Sequence, residues 1–570
     1  MRLPEKFEST MRSLLGEEAE AFFATYSQPR TSGLRFNGLK IGYEEYDRRF
    51  VQAGEGSFGD GKRPAAAIPW VQGGVYTEEE DRPGKHLHYY LGLYYIQEPS
   101  AMLPAELLDV RPGHKVLDLC AAPGGKSTQL AAKLQGRGLL VANDNAAERT
   151  KALAKNVERA GAANALVANE EPAALAAAFG DFFDRVLVDA PCSGEGMFRK
   201  DEEMIRQWER HSVERCSLMQ EEILREAAKL VAPGGKLLYS TCTFSPVENE
   251  ASIARFLSEN PEFEVVPVEA PPEWGLASGR PDWLIEEKRF GLGGDRLASI
   301  AGTVRVWPHR ARGEGHYAAL LVRKPGGDAG AEVSAAGAAP ATQAETARAM
   351  GEAKAMAAAE ATADAAARPT GAGLGDGWSF PRLAEAPAAG KSHLKAAVDR
   401  KRSGRGDAPR GQGSKGAPAA EEDPREKLLA FAREILPDWR PEGRLYRRGE
   451  QLYLQPNELP ELGRLNLVRP GLLLGSATKH RFEPSQALAM GLRMEDASRS
   501  LRLRSGEDEA LKYMKGETLH PSPERIVGPA GAPAPGRGWT LVCIDGFPAG
   551  WGRWDGTILK NELLPGWRWV

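Results

Sequence analysis

The sequence has few cysteines and no long apolar stretch, and each shortage excludes a class of protein. Its 570 residues include 5 cysteines, an odd number with no Cys-x-x-Cys pair, which argues against a disulfide framework and a zinc site. No apolar run approaches the roughly 18 residues that span a bilayer. The opening MRLPEKFEST lacks the apolar core of a secretory signal. We therefore expect no metal, no membrane contact and a cytoplasmic location.

Charge of one sign is also scarce, since the formal net charge is −4. A small net charge does not point to a polyanionic partner, but a sum over the whole chain does not exclude a local basic patch that binds one. Residues 325–424 are rich in Ala, Gly, Pro and Glu and poor in aliphatic residues, which predicts a flexible linker. Within it, residues 389–416 hold eight Lys or Arg against two Asp. This basic stretch either contacts a phosphate backbone or keeps the linker solvated.

Three folded parts are predicted around this linker. Residues 1–108 combine an amphipathic helical start with a strand-like run, LRFNGLKI, and predict a small α+β region. Residues 109–324 alternate short apolar runs with helical stretches and end on two strand-like runs. That pattern predicts an α/β, Rossmann-like, doubly wound parallel sheet with an antiparallel edge hairpin. Residues 425–570 predict a small β-rich domain after a helix.

The first motif of the α/β part is VLDLCAAPGGKSTQL, residues 116–130, which reads as a strand ending in Asp118, a Gly/Pro turn and a helix. Backbone N–H groups at such a helix start face the crevice at the carboxyl end of the sheet, where nucleotide-like ligands bind. The glycines match neither G-x-G-x-x-G nor G-x-x-x-x-G-K-[ST], so a dinucleotide or a nucleoside triphosphate is poorly supported. Asp144 ends the next strand and either accepts bonds from both ribose hydroxyls of an adenosine or caps the following helix.

Two of the cysteines follow buried strands. RVLVDAPCSGEGMFRKD, residues 185–201, places Asp189 and Cys192 in a Pro/Gly-rich loop, and LLYSTCTFSPVENE, residues 237–250, places Cys242 in another. Because the carboxyl ends of parallel strands meet at one sheet edge, both sulfurs could meet one substrate atom beside the adenosine crevice. The spacing does not decide which sulfur attacks. The remaining cysteines are expected to pack in cores: Cys120, Cys216 and Cys543.

These strings together resemble a known family. QEPSAM, DLCAAPGGK, AND, DAPCSGEGMFRKD and YSTCTFSPVENE occur in this order, and they resemble the Nop/Sun family of RNA 5-methylcytosine methyltransferases, in particular its bacterial 16S ribosomal RNA methyltransferase F type. LRFNGLK, HRARGEGHY and GWTLVCIDGFPAGWGRWDGTILKN extend the likeness, and only the linker matches nothing. The resemblance implies a class I S-adenosylmethionine-dependent methyltransferase domain, with RNA binding by the N-terminal region and by a PUA-like domain at 425–570.

The resemblance also implies a role for each residue of the site. Cytosine C5 is too weak a nucleophile to take a methyl group unaided, so a thiolate must first add to C6. Cys242 would be that nucleophile, and Cys192 would assist product release. Asp189 would bind the N3/N4 edge of the base, or else cap its loop. Lys126 would hold a thiolate or orient Asp189, or else only pack its helix.

The cofactor implied by the resemblance is S-adenosylmethionine. The wider family usually has Asp at the position of Asn169, so the resemblance supports an adenine contact for Asn169 less directly than it supports the other cofactor contacts. The expected cofactor-binding residues are Ala121, Ala122, Pro123, Gly124, Gly125, Lys126, Asp144, Arg149, Asn169 and Asp189.

The implied substrate is 16S rRNA near the decoding site, as free RNA or in the small-subunit particle, and the enzyme is expected to be a monomer. The target base must be unpaired or flipped out of a duplex. A transfer-RNA 5-methylcytosine methyltransferase and a non-catalytic ribosome-assembly RNA-binding protein remain alternatives. A small-molecule methyltransferase would not explain the C-terminal domain. Candidate RNA contacts, each weighed against core packing or a solvated charge, are His88 to Tyr95, Arg35, Arg199, Lys200, Arg310, Arg312, Arg444, Arg447, Arg448, Lys479 and Arg481.

Overall fold

A computed structural model describes residues 2–52, 66–199, 202–210, 213–284, 290–325, 384–385, 423–463, 465–534 and 536–569. Most of the predicted linker, with its basic stretch 389–416, lies outside the described residues, as does Lys200. The described residues of Met1–Lys324 and Pro381–Val570 belong to one compact unit.

The N-terminal region is a small α+β unit, as predicted. Its antiparallel sheet has the order β2-β1-β3. The strand predicted over LRFNGLKI ends at Phe36, because the N–H groups of Lys40 and Ile41 both turn back to the carbonyl of Asn37 at 2.9 Å. The strands are β1 Ser32–Phe36, β2 Gly74–Thr77 and β3 Tyr94–Gln97. The α-helices are Glu5–Leu15, Ala19–Ala24, Tyr43–Tyr46, Leu87–Tyr90 and Leu103–Leu107.

A mixed sheet forms the centre of the molecule. Its strands are β4 Lys115–Asp118, β5 Leu139–Asn143, β6 Ala165–Ala168, β7 Phe183–Asp189, β8 Val231–Thr241, β9 Phe263–Val265, β10 Ala277–Ser278, β11 Val304–Val306 and β12 His316–Arg323. The order is β10-β11-β12-β8-β7-β4-β5-β6, with β9 also on β12. Strands β4 to β8 are parallel, and β11 and β12 form an antiparallel hairpin that joins the sheet at β8. The predicted doubly wound sheet with its hairpin is confirmed.

Helices cover both faces of this sheet because its strands are apolar on both sides. Val116 packs into the core that contains Leu130 of one helix, whereas Leu117, the next residue, packs into the opposite core with Leu224 of another. The α-helices are Gly125–Leu134, Ala147–Ala160, Pro172–Phe179, Glu202–Arg210, Val213–Ala228, Glu250–Glu259 and Gly294–Ala298. No helix in the described part of the chain combines the length and apolar character needed to cross a membrane.

The C-terminal part contains two five-stranded sheets. The first consists of β13 Ala384–Glu385, β14 Arg444–Arg448, β15 Gln451–Gln455, β17 Leu472–Ala477 and β18 Phe482–Pro484. The second consists of β19 Ser500–Leu503, β20 Ile526–Val527, β21 Gly538–Ile544, β22 Phe547–Trp554 and β23 Leu559–Asn561. The α-helices are Pro424–Ile435, Gln486–Gly491 and Asp508–Met514. The prediction of a β-rich region after a helix is confirmed.

One strand of the C-terminal part joins the central sheet instead. The strand β16, Leu467–Arg469, pairs antiparallel with β6 and extends the sheet at that edge. Arg469 is buried there, and its guanidinium donates to the carbonyl of Ala162 at 3.1 Å. The sequence analysis did not predict this strand.

The N-terminal sheet and the second C-terminal sheet share one hydrophobic core, in which Leu34 and Tyr94 pack with Val542. A hydrogen bond also connects the two parts, since His88 Nε2 and Asp545 Oδ2 are 2.8 Å apart. The aromatic segment His88 to Tyr95 therefore contributes mainly to this core. Base stacking by its buried members, His88 and Tyr94 among them, is ruled out by their burial.

Candidate active site

An open cavity of about 250 Å³ lies at the carboxyl ends of β4 and β7. The segment Tyr95–Glu98 closes its other side. Cys120, which was expected only to pack in the core, also forms part of the wall. The predicted cofactor residues that line the cavity are Ala121, Ala122, Pro123, Gly125, Lys126 and Asp189.

The turn after β4 depends on glycine and on a buried arginine. Gly124 adopts a left-handed conformation with φ of 110°, and a Cβ on Gly125 would lie 3.2 Å from the ring of Tyr95. The guanidinium of Arg35, only 3% exposed, donates at 2.8 Å both to the Gly125 carbonyl and to the Thr128 hydroxyl. The prediction that Arg35 contacts RNA is wrong, because its donors hold the start of the helix.

Asp118 lines this cavity and has one acceptor atom without a donor within the described part of the protein. Its Oδ2 accepts the hydroxyl of Ser127 at 2.6 Å, whereas its buried Oδ1 has no hydrogen-bond partner among the described residues. Burial raises the pKa of Asp118 to about 7. A buried acceptor without a donor is costly unless a ligand supplies one. The ammonium group of S-adenosylmethionine is such a donor, so the cavity fits that cofactor.

Asp144 serves the fold through both of its oxygens. Oδ2 accepts the N–H of Ala122 at 3.2 Å, and Oδ1 accepts that of Ala146 at 3.0 Å at the start of the next helix. Arg149 lies 3.6 Å from Oδ2 and donates to the Ala122 carbonyl at 2.7 Å. The capping alternative is thus present, and each carboxylate oxygen keeps a lone pair for a ribose hydroxyl.

Asn169 is tied to the neighbouring strand ends. Its Nδ2 donates to the Asp144 carbonyl at 2.7 Å, and its backbone N–H donates to the carbonyl of Asn466 at 2.9 Å. Asn466 precedes β16, so the C-terminal part covers this side of the predicted adenine contact. No signal in the sequence indicated a role for Asn466.

Asp189 lies at the centre of the charged groups. Lys126 Nζ donates to Oδ2 at 2.7 Å and Ser240 donates to Oδ1 at 2.8 Å, while His316 Nε2 lies 3.6 Å from Oδ1. Burial alone would raise the pKa of Asp189, but Lys126 and then His316 outweigh it and hold that pKa below its usual range. Asp189 is therefore ionised at neutral pH. His316 was not predicted, although it starts the strand-like run after GEG.

The two motif cysteines meet beside Lys126. Cys192 Sγ and Cys242 Sγ are 3.3 Å apart, and both side chains are partly exposed. The hydrogen bond to Cys242 and then burial raise the pKa of Cys192 well above its usual value. Cys192 is therefore a thiol at neutral pH, in hydrogen-bond contact with the Cys242 sulfur. The predicted meeting of both sulfurs at one point is confirmed by this geometry.

The loop after β8 rests on a fully buried ion pair. Arg305 donates to Glu250 Oε1 at 2.7 Å and to the carbonyl of Phe244 at 2.9 Å, and the two charged side chains are 2% and 0% exposed. Breaking a buried pair leaves an uncompensated charge. We expect Arg305→Met to lower the free energy of unfolding by about 3–5 kcal/mol. Urea denaturation checks this, with Arg225→Met as the matched surface control.

Arg225 pairs with Glu221 at 3.0 Å with its side chain 48% exposed. Its loss is expected to change the unfolding free energy by less than about 1 kcal/mol. Equal effects of the Arg305 and Arg225 substitutions would contradict the assignment of the buried pair.

Most of the arginines proposed to contact RNA bond within the protein. The side chain of Arg199 is buried and donates to Glu314 Oε2 at 2.7 Å. Arg199 is therefore neither an RNA contact nor a solvated surface charge. Arg310 and Arg312 are partly exposed and pair with Glu18 and Glu78. In the C-terminal part, the following donate to backbone carbonyls or to a carboxylate: Arg444, Arg447, Arg448 and Arg481. Lys479 is exposed.

Four protein-family models match the chain in series. They are the N-terminal domain of 16S rRNA methyltransferase RsmF at residues 3–99, 16S rRNA methyltransferase RsmB/F at 105–322, the RsmF rRNA methyltransferase first C-terminal domain at 430–492, and the methyltransferase RsmF PUA domain at 500–569. The last two divide the predicted C-terminal domain at the boundary between its two sheets.

Curated relatives agree with these models. The ribosomal RNA small subunit methyltransferase F of Pectobacterium atrosepticum is 38% identical over 264 residues, 45% of this chain and 52% of the relative. That of Escherichia coli is 36% identical over 264 residues, 45% of this chain and 53% of the relative. That of Erwinia tasmaniensis is 32% identical over 329 residues, 56% and 63%. The chain thus spans about half the length of the first two relatives.

Solved structures are similar over just more than half of the chain. NSun6 from Pyrococcus horikoshii, solved with SFG, is 19% identical, with a TM-score of 0.45 over 56% of this chain and 98% of that one. A methyltransferase homolog protein from Pyrococcus horikoshii is 25% identical, with a TM-score of 0.45 over 56% and 95%.

The parallel sheet with its edge hairpin, and a cavity at the turn after its first strand, define a class I methyltransferase fold. The two thiols lie at the same sheet edge. The chain belongs to the RsmF family of 16S rRNA methyltransferases, whose models match it from the N-terminal region to the PUA domain.

Proposed function

We propose that the protein methylates C5 of a cytosine in 16S rRNA near the decoding site, through a covalent bond between Cys242 and C6 of the base. The observation that carries this proposal is the contact of two thiols, 3.3 Å apart, beside a lysine and an ionised aspartate. S-adenosylmethionine, when bound, supplies an electrophilic methyl group. The residues that would hold it are those of the cavity wall, with Asp144, Arg149 and Asn169 at its adenosine side.

The two cysteines take different parts in this scheme. Cys242, in contact with Cys192, adds to C6 as a thiolate, and C5 gains the electron density to take the methyl group. Lys126 stabilises that thiolate by its positive charge. Once Cys242 is a neutral thioether, the main cause of the raised pKa of Cys192 is gone. Cys192, which is partly exposed, can then lose its proton to solvent and as a thiolate take the proton from C5. The electron pair of that C–H bond forms the C5–C6 double bond, and Cys242 leaves C6 as a thiolate.

Asp189 orients the base. Its carboxylate accepts from the exocyclic amine and stabilises positive charge on N3 as the adduct forms. Lys126, Ser240 and His316 fix this carboxylate in place before the base arrives. Such preorganisation lowers the barrier because no group has to reorient during the reaction.

We propose the boundaries 1–108, 109–324, 325–424 and 425–570 for the N-terminal, catalytic, linker and C-terminal parts. The RsmB/F family model begins and ends within a few residues of the boundaries proposed for the catalytic part. The N-terminal and C-terminal parts would bind RNA around the target, and their shared core would hold them in one orientation.

Nucleoside analysis tests the proposed reaction directly. The purified protein, S-adenosylmethionine and 16S rRNA or small subunits are expected to yield 5-methylcytidine, with transfer RNA as the competing substrate. Methylation at another atom, or of transfer RNA alone, would refute the proposal. Bisulfite mapping of the product then identifies the cytosine.

The affinity for S-adenosylmethionine is expected to depend on pH through Asp118. A cation at Oδ1 favours the ionised form, and Asp118, with its pKa of about 7, is mostly protonated at lower pH. The affinity should therefore rise about fivefold between about pH 6 and about pH 7, and calorimetry checks this. Asp118→Asn is expected to flatten the profile. An unchanged slope in that variant would show that another group is responsible.

A further inference from the structure

Side chains cross between the two cysteine loops. Glu248, in the loop after β8, accepts the Ser193 N–H at Oε1 at 2.9 Å, and its Oε2 lies 2.5 Å from the Ser193 hydroxyl oxygen. Glu195, in the loop after β7, accepts the hydroxyl of Thr243 at 3.0 Å and the N–H of Phe244 at 3.1 Å. Each carboxyl group thus bonds to the residue that directly follows the cysteine of the other loop.

The loops also touch each other directly. The hydroxyls of Ser193 and Thr243 are 2.7 Å apart, and the N–H of Gly196 donates to the Cys242 carbonyl at 2.9 Å. A Cβ on Gly196 would lie only 2.9 Å from that carbonyl oxygen. A displacement of either loop would therefore change the distance between the two sulfurs.

A count of protons locates an acidic hydrogen in this contact. Three oxygen pairs lie in series, Glu248 to Ser193 at 2.5 Å, Ser193 to Thr243 at 2.7 Å and Thr243 to Glu195 at 3.0 Å. Each short pair needs one hydrogen between its oxygens, and the two hydroxyls supply two. The third must belong to a carboxyl group at one end of the chain.

Glu248 is the carboxyl group with room for that hydrogen. Both oxygens of Glu195 already accept N–H donors, from Trp208 at 3.0 Å and from Phe244. In Glu248 the N–H donors, from Ser193 and from Gln220 at 3.0 Å, both reach Oε1 and leave Oε2 to the Ser193 hydroxyl. Burial raises the pKa of Glu248 to about 7, which agrees with a proton on Oε2.

We propose that Glu248 is a positioning residue for product release. As a neutral acid, Glu248 completes the hydrogen-bonded chain that holds Cys192 against Cys242. This inference rests on the proposed function, because it assumes that Cys192 takes part in breaking the covalent adduct. Its consequence is that loss of Glu248 separates the two steps, since Cys242 still attacks but Cys192 is displaced from the adduct.

Substitutions at the two carboxyl groups test this proposal in the full chain with 16S rRNA and S-adenosylmethionine. Glu248→Ala is expected to raise the steady-state fraction of covalent protein–RNA adduct about tenfold, because the loss of a buried hydrogen bond changes an equilibrium by about that factor. Glu248→Gln is expected to stay within about twofold of the wild type, because its NH₂ replaces the acidic hydrogen toward Ser193. Glu195→Gln is expected to slow adduct formation, because its NH₂ must face another donor.

The ratio of adduct formation to adduct release separates positioning from general damage. A residue with only a structural role would lower the melting temperature and slow both steps together, leaving the ratio unchanged. A wild-type ratio in Glu248→Ala would overturn the proposal. A ratio in Glu248→Gln equal to that in Glu248→Ala would overturn the assignment of Glu248 as a neutral acid. If Glu248→Ala does not fold, Ser193→Ala, which removes the middle of the chain, is judged by the same ratio. Failure of Cys192→Ala to accumulate adduct would instead refute the proposed function.

Discussion

Replacing Cys242 with alanine is expected to abolish methyl transfer to cytosine, with a fall in rate of about 10⁴-fold or more. The loss is large because methyl transfer to C5 depends on the addition of a thiolate to C6, and the thiol proposed to make that addition is gone. The affinity for S-adenosylmethionine should persist, since Cys242 is not among the residues that line the cavity. Radiolabelled methyl transfer and calorimetric cofactor binding, measured on one preparation, check both parts.

Cys216→Ala is the matched control for this substitution. Cys216 is a buried thiol on the helix Val213–Ala228, and no role in transfer is proposed for it. Its variant should keep the wild-type rate. Substantial methylation by Cys242→Ala, with the fold intact, would remove Cys242 from the role of nucleophile.

Replacing Asp189 with asparagine is expected to lower the rate of transfer about 10³-fold. The substitution removes the carboxylate that accepts from Lys126 at 2.7 Å and leaves that ammonium group buried without its counter-charge. It also places an NH₂ group where the base is to be bound. Single-turnover kinetics with saturating RNA measure the loss, and the melting temperature should fall as well because Lys126 loses its partner.

Asp184→Asn provides the comparison within the same strand. Asp184 lies toward the opposite end of β7, where its carboxylate accepts the N–H of Lys115 at 2.7 Å. An amide oxygen can accept the same bond, so this variant should transfer methyl groups at the wild-type rate. Equal losses in the two variants would show that disruption of the strand, and not the lost charge at the site, causes the effect.

Local pattern was enough to predict the central sheet and its site. The strands β4, β5, β7 and β8 each contain a short apolar run bounded by glycine or charged residues, and such a run is a clear sequence signal for a buried strand. Parallel order then brought Asp189, Cys192 and Cys242 to one edge, as predicted. Chemistry alone left the roles of the two sulfurs open, and the order was inferred from the family. The raised pKa of Cys192 agrees with that order.

Features that depend on contacts distant in sequence were missed. The strand β16 has three residues and forms only because β6 offers it an edge. Arg35 and Arg199 were taken for surface charges, since nothing local shows that Gly125 and Glu314 would accept their donors. Glu195 and Glu248 lie in the quoted motifs, yet their crossed bonds appear only once the two loops are adjacent.

The hydrophobic core shared by the N-terminal and C-terminal parts is another feature that depends on contacts distant in sequence. It joins residues near Leu34 to residues near Val542 and places His88 in a buried bond with Asp545. Because the N-terminal and C-terminal parts flank the catalytic sheet as one unit, the proposed RNA surfaces are set by the fold and not by the linker sequence.

Covalent trapping tests the central claim most directly. The protein is incubated with 16S rRNA and S-adenosylmethionine, denatured, and separated by size to detect RNA that stays bound to the chain. Cys192→Ala is expected to accumulate the adduct because release is blocked, and Cys242→Ala is expected to form none. An adduct in Cys242→Ala and none in Cys192→Ala would reverse the roles of the two cysteines and contradict the account given for the site.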